Sequence, residues 1–146
     1  MTERTVFQSM SLRHVLSVGP SATAHEAACI MTRAGCGSVL IIDASKTLLG
    51  ILTERDLMTR VVAKALDPAR TTVSEVMTRS PHFVPPDMKV ADAVLIMIER
   101  GFRHLPIVAD NGKILGVFSA RDALPREVNI AVSLAEFHEQ VNDALG

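Results

Sequence analysis

The sequence predicts an α+β fold made of two tandem β-α-β-β-α repeats that pack with pseudo-two-fold symmetry. Two observations predict it: the chain contains an ungapped internal repeat, and both copies show the same order of strand and helix patterns. The size of one copy supports the same fold. A single copy of roughly 60 residues buries only a thin core, and two copies packed sheet to sheet bury more. We therefore expect clefts between the two copies.

The repeat appears when the chain is shifted by 66 residues, which aligns residues 18–57 with 84–123 without a gap. The identical pairs keep glycines, charges and apolar residues in step: Val18/Val84, Pro20/Pro86, Ala27/Ala93, Ile30/Ile96, Met31/Met97, Gly35/Gly101, Ile41/Ile107, Leu49/Leu115, Gly50/Gly116, Arg55/Arg121 and Asp56/Asp122. Because chance similarity does not keep such residues in register, we treat the chain as a duplication.

A weaker similarity lies upstream of each copy. Thr5-Val6 and Met10-Ser11 resemble Thr72-Val73 and Met77-Thr78 at an offset of 67, so one copy has a single-residue insertion. We divide the chain into a first domain at residues 7–66, a second at 73–130 and a C-terminal amphipathic helix at 131–146.

The first elements of each copy follow from periodicity. A short extended piece ends at Val18 or Val84, and apolar residues at helical spacing then predict helices over 23–34 and 89–100. Gly35 and Gly101 occupy the position where a helix takes a left-handed cap. Apolar runs then predict two strands per copy, at 39–42 and 48–52 in the first and at 105–108 and 114–118 in the second.

The second helix of each copy begins at Thr53 or Ser119. In the first copy it should run to about Leu66, and residues 67–72 then form a linker. In the second copy Pro125 should cut the helix short, kink it or restart it, since proline is costly inside a helix. The tail carries apolar residues at helical spacing and predicts an amphipathic helix that docks on another surface: Leu134, Phe137, Val141 and Leu145.

Composition excludes several classes of protein. Apolar residues make up 48 % of the 146, charged residues 21 % and the net charge is −1, which is enough to build a core and too little positive charge for nucleic-acid binding. Trp and Tyr are absent, which argues against a stacking platform for single strands. We expect no membrane span, since no run of about 18 apolar residues occurs.

Cys29 and Cys36 are expected to be reduced thiols. They lie in or just after a predicted helix, seven residues apart, which is roughly 10 Å along a helix and too far for a disulfide. Together with the lack of a signal-peptide core, this predicts a cytoplasmic protein. The histidines and cysteines show no metal spacing, no catalytic motif occurs, and we expect neither a metal site nor an enzyme.

The candidate chemistry lies in two copies of one pattern, Gly-x-x-[Thr/Ser]-x-Arg-Asp, at residues 50–56 and 116–122. Each places a hydroxyl at the end of a strand and a carboxylate three residues later, in the first helical turn. The hydroxyl and the free backbone N–H groups there suit a phosphate. The carboxylate can accept hydrogen bonds from both hydroxyls of a ribose, and the arginine adds positive charge.

A helix cap explains the same residues without a ligand. Ser/Thr-x-x-Asp/Glu is a capping box, and the chain shows related patterns at 23–26 and 72–75. The duplication of the longer pattern at the same place in each copy favours a binding site.

The chain resembles a CBS-domain pair, also called a Bateman module, over nearly its whole length. The residues that carry the resemblance are Met77-Thr78, Val84-x-Pro86, Arg103-His104-Leu105-Pro106-Ile107-Val108 and the two duplicated patterns. The resemblance implies that Thr53 and Asp56 serve one cleft and Ser119 and Asp122 the other, holding the phosphate and ribose of AMP, ADP, ATP or a related ligand. Arg55 and Arg121 would contact phosphate.

The resemblance also places basic residues before the second strand, here Arg103 and His104, where they would reach phosphates. The first copy has Gly37 and Ser38 instead, so we expect the two clefts to differ, with the second preferring the more highly charged ligand. Segments 14–17 and 80–84, which include Pro81 and His82, would line the adenine slot together with the strands at Ile41 and Ile107. The alternative for Arg103 and His104 is a solvated strand edge.

The leading hypothesis is therefore a regulatory module that binds adenine nucleotides and signals to a separate effector protein. S-adenosylmethionine and NADH are further possible ligands, no cofactor is expected, and the family implies a homodimer. The alternative from another class is an interaction module with no nucleotide. DNA or RNA binding is the weakest hypothesis, because the chain is near neutral.

Overall fold

The computed structural model describes residues 3–10 and 14–145, and it has the mixed α+β composition that the repeat predicts. Its contacts form two compact units. One contains Val15–His82, and the other contains the described residues of 1–14 together with those of 83–146. We call them the repeat-1 unit and the repeat-2 unit and describe each by itself.

The repeat-1 unit is a four-stranded sheet with helices. Its elements are, in order, β1 (Ser17–Val18), α2 (Ala24–Ala34), β2 (Ser38–Ile42), β3 (Leu48–Thr53), α3 (Glu54–Asp56), a π-helix (Leu57–Val62), α4 (Val73–Val76) and β4 (Thr78–Arg79). The strand order is β1-β2-β3-β4, with β1 parallel to β2 and the other pairs antiparallel. The predicted helix and both predicted strands of this copy are confirmed to within a residue or two.

Helix α2 has the two caps that its sequence predicts. The Thr23 hydroxyl accepts the backbone N–H of Glu26 at 3.1 Å, and Gly35 ends the helix in the left-handed region with φ of 66°. The buried face of the helix meets the sheet in one core: Ala24, Ala27, Met31, Val39, Ile41, Leu52, Val61, Val73, Val76 and Met77. Burial of this apolar surface is the main force that holds α2 on the sheet.

The repeat-2 unit repeats the same plan. Its elements are α1 (Val6–Ser9), α5 (Val90–Arg100), β5 (His104–Val108), β6 (Ile114–Ser119), a 3₁₀ turn (Ala120–Asp122) and α6 (Pro125–Leu145). Strands β5 and β6 pair antiparallel, Val84 bridges Ile107 in parallel, and Gly101 ends α5 with φ of 75°. The core residues are Val6, Met10, Val84, Val90, Ala93, Val94, Met97, Leu105, Ile107, Phe118 and Ala131.

Each unit is completed by the segment that precedes the other repeat in the chain. The backbone N–H of Val73 donates to Ala22 O at 2.8 Å in the repeat-1 unit, and Val6 N–H donates to the matching Met88 O at 2.8 Å in the repeat-2 unit. The methionine that follows each short helix then covers a glycine of the sheet, Met77 at Gly50 and Met10 at Gly116. The weak upstream similarity thus has a structural basis, while the contiguous boundaries at 7–66 and 73–130 stay a prediction.

The second helix of the first copy is shorter than expected. It ends at Val62 with the last residues in a π-helix, where Ala63 N–H donates to Met58 O five residues earlier. The chain then turns, because Ala65 takes a left-handed conformation with φ of 56° and Leu66 N–H folds back onto Val61 O. The expectation of a helix to Leu66 is therefore wrong by one turn.

In the second copy the helix restarts at Pro125, one of the three expected outcomes. Proline suits the first helical position, where its missing N–H costs nothing. The resulting α6 packs along α5, with Ala131 buried in the core of the unit and Val128 packed against that core. Phe137, Val141 and Leu145 are exposed on the described chain, so the docking of this apolar face on another surface stays a prediction.

Candidate functional site

The first duplicated pattern forms a reciprocal cap at the end of β3. The Thr53 hydroxyl accepts the Asp56 N–H at 3.1 Å, and Asp56 Oδ2 accepts the Thr53 N–H at 3.0 Å. The strand-to-helix turn therefore gives both polar side chains a structural role, as the capping explanation expects.

Asp56 has further partners that a cap does not need. The Thr78 hydroxyl lies 3.2 Å from Asp56 Oδ1 and 3.3 Å from Oδ2, and Arg60 Nε lies 3.7 Å from Oδ1. Asp56 is only 7 % exposed. A nearly buried carboxylate is stable when it is hydrogen-bonded and near a cation, and the chain supplies both.

The second pattern forms the matching turn at the end of β6. Asp122 Oδ2 accepts the Ser119 N–H at 2.9 Å, and the Ser119 hydroxyl accepts the Arg121 N–H at 3.4 Å. The turn is a single 3₁₀ turn, and Asp122 is half-buried, less covered than Asp56. The two copies therefore share a geometry but differ in how open the carboxylate is.

The residues before each second strand lie beside the hydroxyls. Ser38 is the antiparallel partner of Thr53, and His104 is the partner of Ser119. Ala120 N–H donates to the Arg103 carbonyl at 3.0 Å, which holds the backbone of Arg103 against the start of the 3₁₀ turn. Neighbouring strands thus bring Ser38 to Thr53 in the repeat-1 unit, and a basic residue, His104, to Ser119 in the repeat-2 unit.

The remaining predicted residues have less defined positions. Arg55 and Arg121 are exposed, each one residue before its aspartate. Pro81 and His82 are half-buried in the connection between β4 and Val84, outside the paired strands. Segment 14–17 contributes Leu16 O, which accepts the Leu40 N–H at 3.0 Å beside β2.

Sequence reasoning missed the residues that support Asp56. Arg60 stands four residues after Asp56, and Arg126 occupies the equivalent position after Asp122, just beyond the aligned segments. Thr78 belongs to the upstream similarity, where it matches Ser11, a residue outside the described part of the chain. The sequence contains these residues, but their role at Asp56 follows only from contacts that the folded chain makes.

A second missed feature is an ion pair in the repeat-2 unit. Arg4 Nη2 lies 2.7 Å from Glu127 Oε1 and also donates to the Asp122 carbonyl at 2.9 Å. The Arg4 hydrogen bond, aided by a bond from the Leu124 N–H, holds the pKa of Glu127 below its usual range, although burial acts in the opposite direction. Arg4 therefore connects the N-terminal segment, the second pattern and the start of α6.

This pair predicts an acid-sensitive contribution to stability. The pKa of Glu127 is lower in the folded chain than its ordinary value of 4.5, so its contribution is complete above that pH and is lost as the pH falls through the folded-state pKa. We expect Glu127→Gln to lower the free energy of unfolding by about 1–3 kcal/mol at pH 7. The difference in this free energy between the variant and the wild type should shrink below about pH 4.5. Urea unfolding of both proteins at pH 7 and pH 3.5 measures this, and an equal difference at both pH values would contradict it.

Residues 3–10 and 14–145 contain no group of three or more His, Cys, Asp or Glu side chains placed to hold a metal ion. Cys29 and Cys36 are free thiols, and Cys29 Sγ lies 3.6 Å from His25 Nε2. In the described part of the chain, no helix has the length and apolar character needed to span a bilayer.

Comparison with known families decides what this arrangement belongs to. The CBS domain family matches residues 8–63 and 73–127, one match for each repeat. The chain belongs to the CBS domain family. A pair of CBS domains is a regulatory module, and the two duplicated patterns occupy the same place in each of its domains.

Relatives of this CBS pair occur in archaea and plants. An uncharacterized protein of Methanopyrus kandleri is 35 % identical over 133 residues, which cover 91 % of this chain and 68 % of the relative. A CBS domain-containing protein of Arabidopsis thaliana is 38 % identical over 122 residues, but the matched region is only 22 % of its length. The same module therefore occurs in chains of similar size and as part of much longer ones.

Solved structures show the same fold. A CBS-domain containing protein of Agrobacterium tumefaciens is 30 % identical with a TM-score of 0.73, covering 81 % of this chain and 94 % of that one. A CBS domain protein of Pyrobaculum aerophilum, solved in complex with AMP, has a TM-score of 0.77 at 24 % identity, covering 90 % of this chain and all of that one. At that identity the likeness concerns the fold alone.

Proposed function

We propose that this CBS pair is a sensor that binds an adenine nucleotide at its two duplicated patterns and passes its occupancy to a separate effector protein. The observation that carries the proposal is Asp56, a nearly buried carboxylate that holds Thr78 and Arg60 in addition to its cap. A carboxylate suits the hydroxyl groups of a sugar, and the P. aerophilum protein of the same fold was solved in complex with AMP. We propose binding and not catalysis, because a pair of CBS domains is a regulatory module.

The two sites should not be equal. Arg103 and His104 stand beside Ser119, whereas Gly37 and Ser38 stand beside Thr53. A guanidinium next to the phosphate position favours the ligand with more negative charge. We therefore propose that the site at Asp122 prefers ATP over AMP more strongly than the site at Asp56.

Thermal shift and titration calorimetry test both statements. The wild-type chain is measured with each of five ligands: AMP, ADP, ATP, S-adenosylmethionine and NADH. A ligand at 100 times its dissociation constant raises the free energy of unfolding by about 2.7 kcal/mol. We expect at least one of the adenine nucleotides to stabilise the chain. Arg103→Ala should lower the affinity for ATP about tenfold and change the affinity for AMP little. Two sites of equal affinity, both unchanged by Arg103→Ala, would contradict the proposed difference between the sites.

A specific observation favours a second function. Both aspartates already bond to their own strand ends, which is what an interaction module without a ligand would show. An unchanged melting temperature with every nucleotide in the panel would support this alternative and exclude the sensor.

We also propose that the partner of each chain includes a second copy of itself. Both repeats present an apolar stripe at the same place, with Met58, Val62 and Leu66 exposed in the first, and Leu124 and Val132 exposed in the second. Val62 is 74 % exposed, and a patch of exposed apolar side chains is typical of a surface that another chain covers. The free thiols of Cys29 and Cys36 fit the reducing cytoplasm, which we propose as its compartment.

Self-association has a direct test. Light scattering at micromolar concentration should give twice the chain mass of 15.8 kDa for wild type, and Val62→Glu should shift the population towards the monomer. Thr59→Glu, which adds the same charge to a polar exposed position of the same helix, should leave the dimer intact. A wild-type monomer under these conditions would exclude the homodimer.

A further inference from the structure

Thr78 holds the carboxylate of Asp56 in addition to the helix cap. The cap fixes Asp56 Oδ2 through the Thr53 N–H at 3.0 Å. The Thr78 hydroxyl lies almost equally far from both oxygens, at 3.2 and 3.3 Å, so it restrains rotation of the carboxylate plane. The orientation of this carboxylate is therefore set by two groups from different parts of the chain.

Arg60 keeps Thr78 in place as well as balancing the charge. Arg60 Nη1 donates to the Met77 carbonyl at 2.8 Å, and its Nε lies 3.7 Å from Asp56 Oδ1. Thr78 is also paired with Ile51 in the β3–β4 ladder. The hydroxyl is thus carried on a strand whose position is fixed by both backbone and side-chain bonds.

The carboxylate keeps enough acceptor capacity for a ligand. An ionised carboxylate offers about four lone-pair positions, and the Thr53 N–H and Thr78 hydroxyl occupy about two of them. The two that remain equal the two donors of a vicinal diol, such as the 2′- and 3′-hydroxyls of a ribose. A sugar lacking one hydroxyl would leave one position of a nearly buried carboxylate unpaired, which is costly.

We propose that Thr78 is a positioning residue that holds Asp56 for a vicinal diol and so makes this site select ribonucleotides over 2′-deoxyribonucleotides. The inference rests on the proposed nucleotide function and adds the residue that sets its sugar selectivity. Thr78 acts through Asp56, and it is not itself required to touch the ligand.

The test measures sugar selectivity at this one site. Titration calorimetry gives the dissociation constants of AMP and 2′-deoxy-AMP for a chain carrying Asp122→Asn, which weakens the other site. We expect 2′-deoxy-AMP to bind about tenfold more weakly than AMP. Adding Thr78→Val should reduce that ratio to below about threefold, because the carboxylate loses its second restraint.

Two further variants separate positioning from a general loss of structure. Thr78→Ser keeps the hydroxyl and should keep the tenfold ratio. Thr72→Val is the matched control, because the Thr72 hydroxyl lies in the same segment but bonds to Glu75 at 3.1 Å and not to Asp56. Melting curves establish that each variant is folded, and Thr78→Ala replaces the valine variant if that one is not.

The outcomes distinguish this inference from the proposed function. A Thr78→Val chain that is folded and keeps the full ratio would overturn the positioning role while leaving nucleotide binding intact. Wild-type binding that disappears with Asp122→Asn alone would also overturn it, since the Asp56 site would then bind no nucleotide. If the wild-type chain binds neither ligand, the proposed function fails and this inference fails with it.

Discussion

Exchanging both duplicated aspartates for asparagine, as Asp56→Asn with Asp122→Asn, should remove nearly all stabilisation by adenine nucleotides. Hydrogen bonds to a charged acceptor are worth about 1.5–3 kcal/mol each, which corresponds to roughly tenfold to a hundredfold in affinity per bond lost. Asparagine keeps the volume and one acceptor oxygen, so the strand-end caps at Thr53 and Ser119 should persist.

The size of the effect can be stated for one ligand concentration. A ligand at 100 times the wild-type dissociation constant stabilises the wild type by about 2.7 kcal/mol. A hundredfold weaker variant gains only about 0.4 kcal/mol at the same concentration. Chemical unfolding with and without nucleotide measures both values.

A matched control removes the same kind of charge elsewhere. Asp143→Asn neutralises an exposed carboxylate in the last turns of α6 and should leave the nucleotide response unchanged. If the double asparagine variant is stabilised by nucleotide as strongly as the wild type, the ligand lies elsewhere and the two aspartates are only caps.

Gly50→Ala should destabilise the repeat-1 unit more than any exposed substitution. A methyl group at this position would lie 2.7 Å from the Thr78 carbonyl oxygen and 2.9 Å from Met77 Cγ. The first of these atoms is backbone in the paired strand β4, so it cannot move without weakening the β3–β4 pairing. We expect a loss of about 3 kcal/mol or more in the free energy of unfolding.

Gly19→Ala is the control for this prediction. A methyl group there meets no atom within 4 Å, and the residue has no left-handed backbone, so the expected change is within about 0.5 kcal/mol. Urea unfolding of the two variants beside the wild type gives the comparison. A Gly50→Ala chain as stable as Gly19→Ala would mean that β4 and Met77 do not pack on Gly50 in solution.

Local patterns predicted most of the fold. Periodicity and caps are short-range signals, so the helices near Thr23 and Lys89 and the strands near Ile41 and Ile107 could be placed from neighbouring residues alone. Pro125 predicted an interruption of the helix that begins at Ser119, because the effect of a proline on a helix is also local.

Long-range contacts could not be predicted in the same way. The two short helices before the repeats pack on the repeat that does not follow them, and only the weak similarity of Met10 to Met77 hinted at a shared role. The roles of Thr78 and Arg60 at Asp56 depend on separations of 22 and 4 residues that acquire meaning only when β4 joins the sheet. Arg4 and Glu127 lie 123 residues apart, and no local pattern connects them.

The exposed face of α6 shows a different limit. Apolar spacing predicted that one face of α6 docks on another surface, but spacing alone does not identify that surface. The buried residues of α6 are Glu127 and Ala131, which do not belong to the predicted face. Glu127 is a charged residue that periodicity places outside a core, yet its bonds to Arg4 make its burial favourable.

A crystal structure of the chain with AMP at saturating concentration tests the central claim most directly. The account requires the ribose hydroxyls within 3.2 Å of the Asp56 or Asp122 carboxylate, with Thr78 still bonded to Asp56 and the phosphate beside the hydroxyl residue. Density for AMP away from both aspartates, or none at all while both carboxylates only close their helix turns, would contradict it.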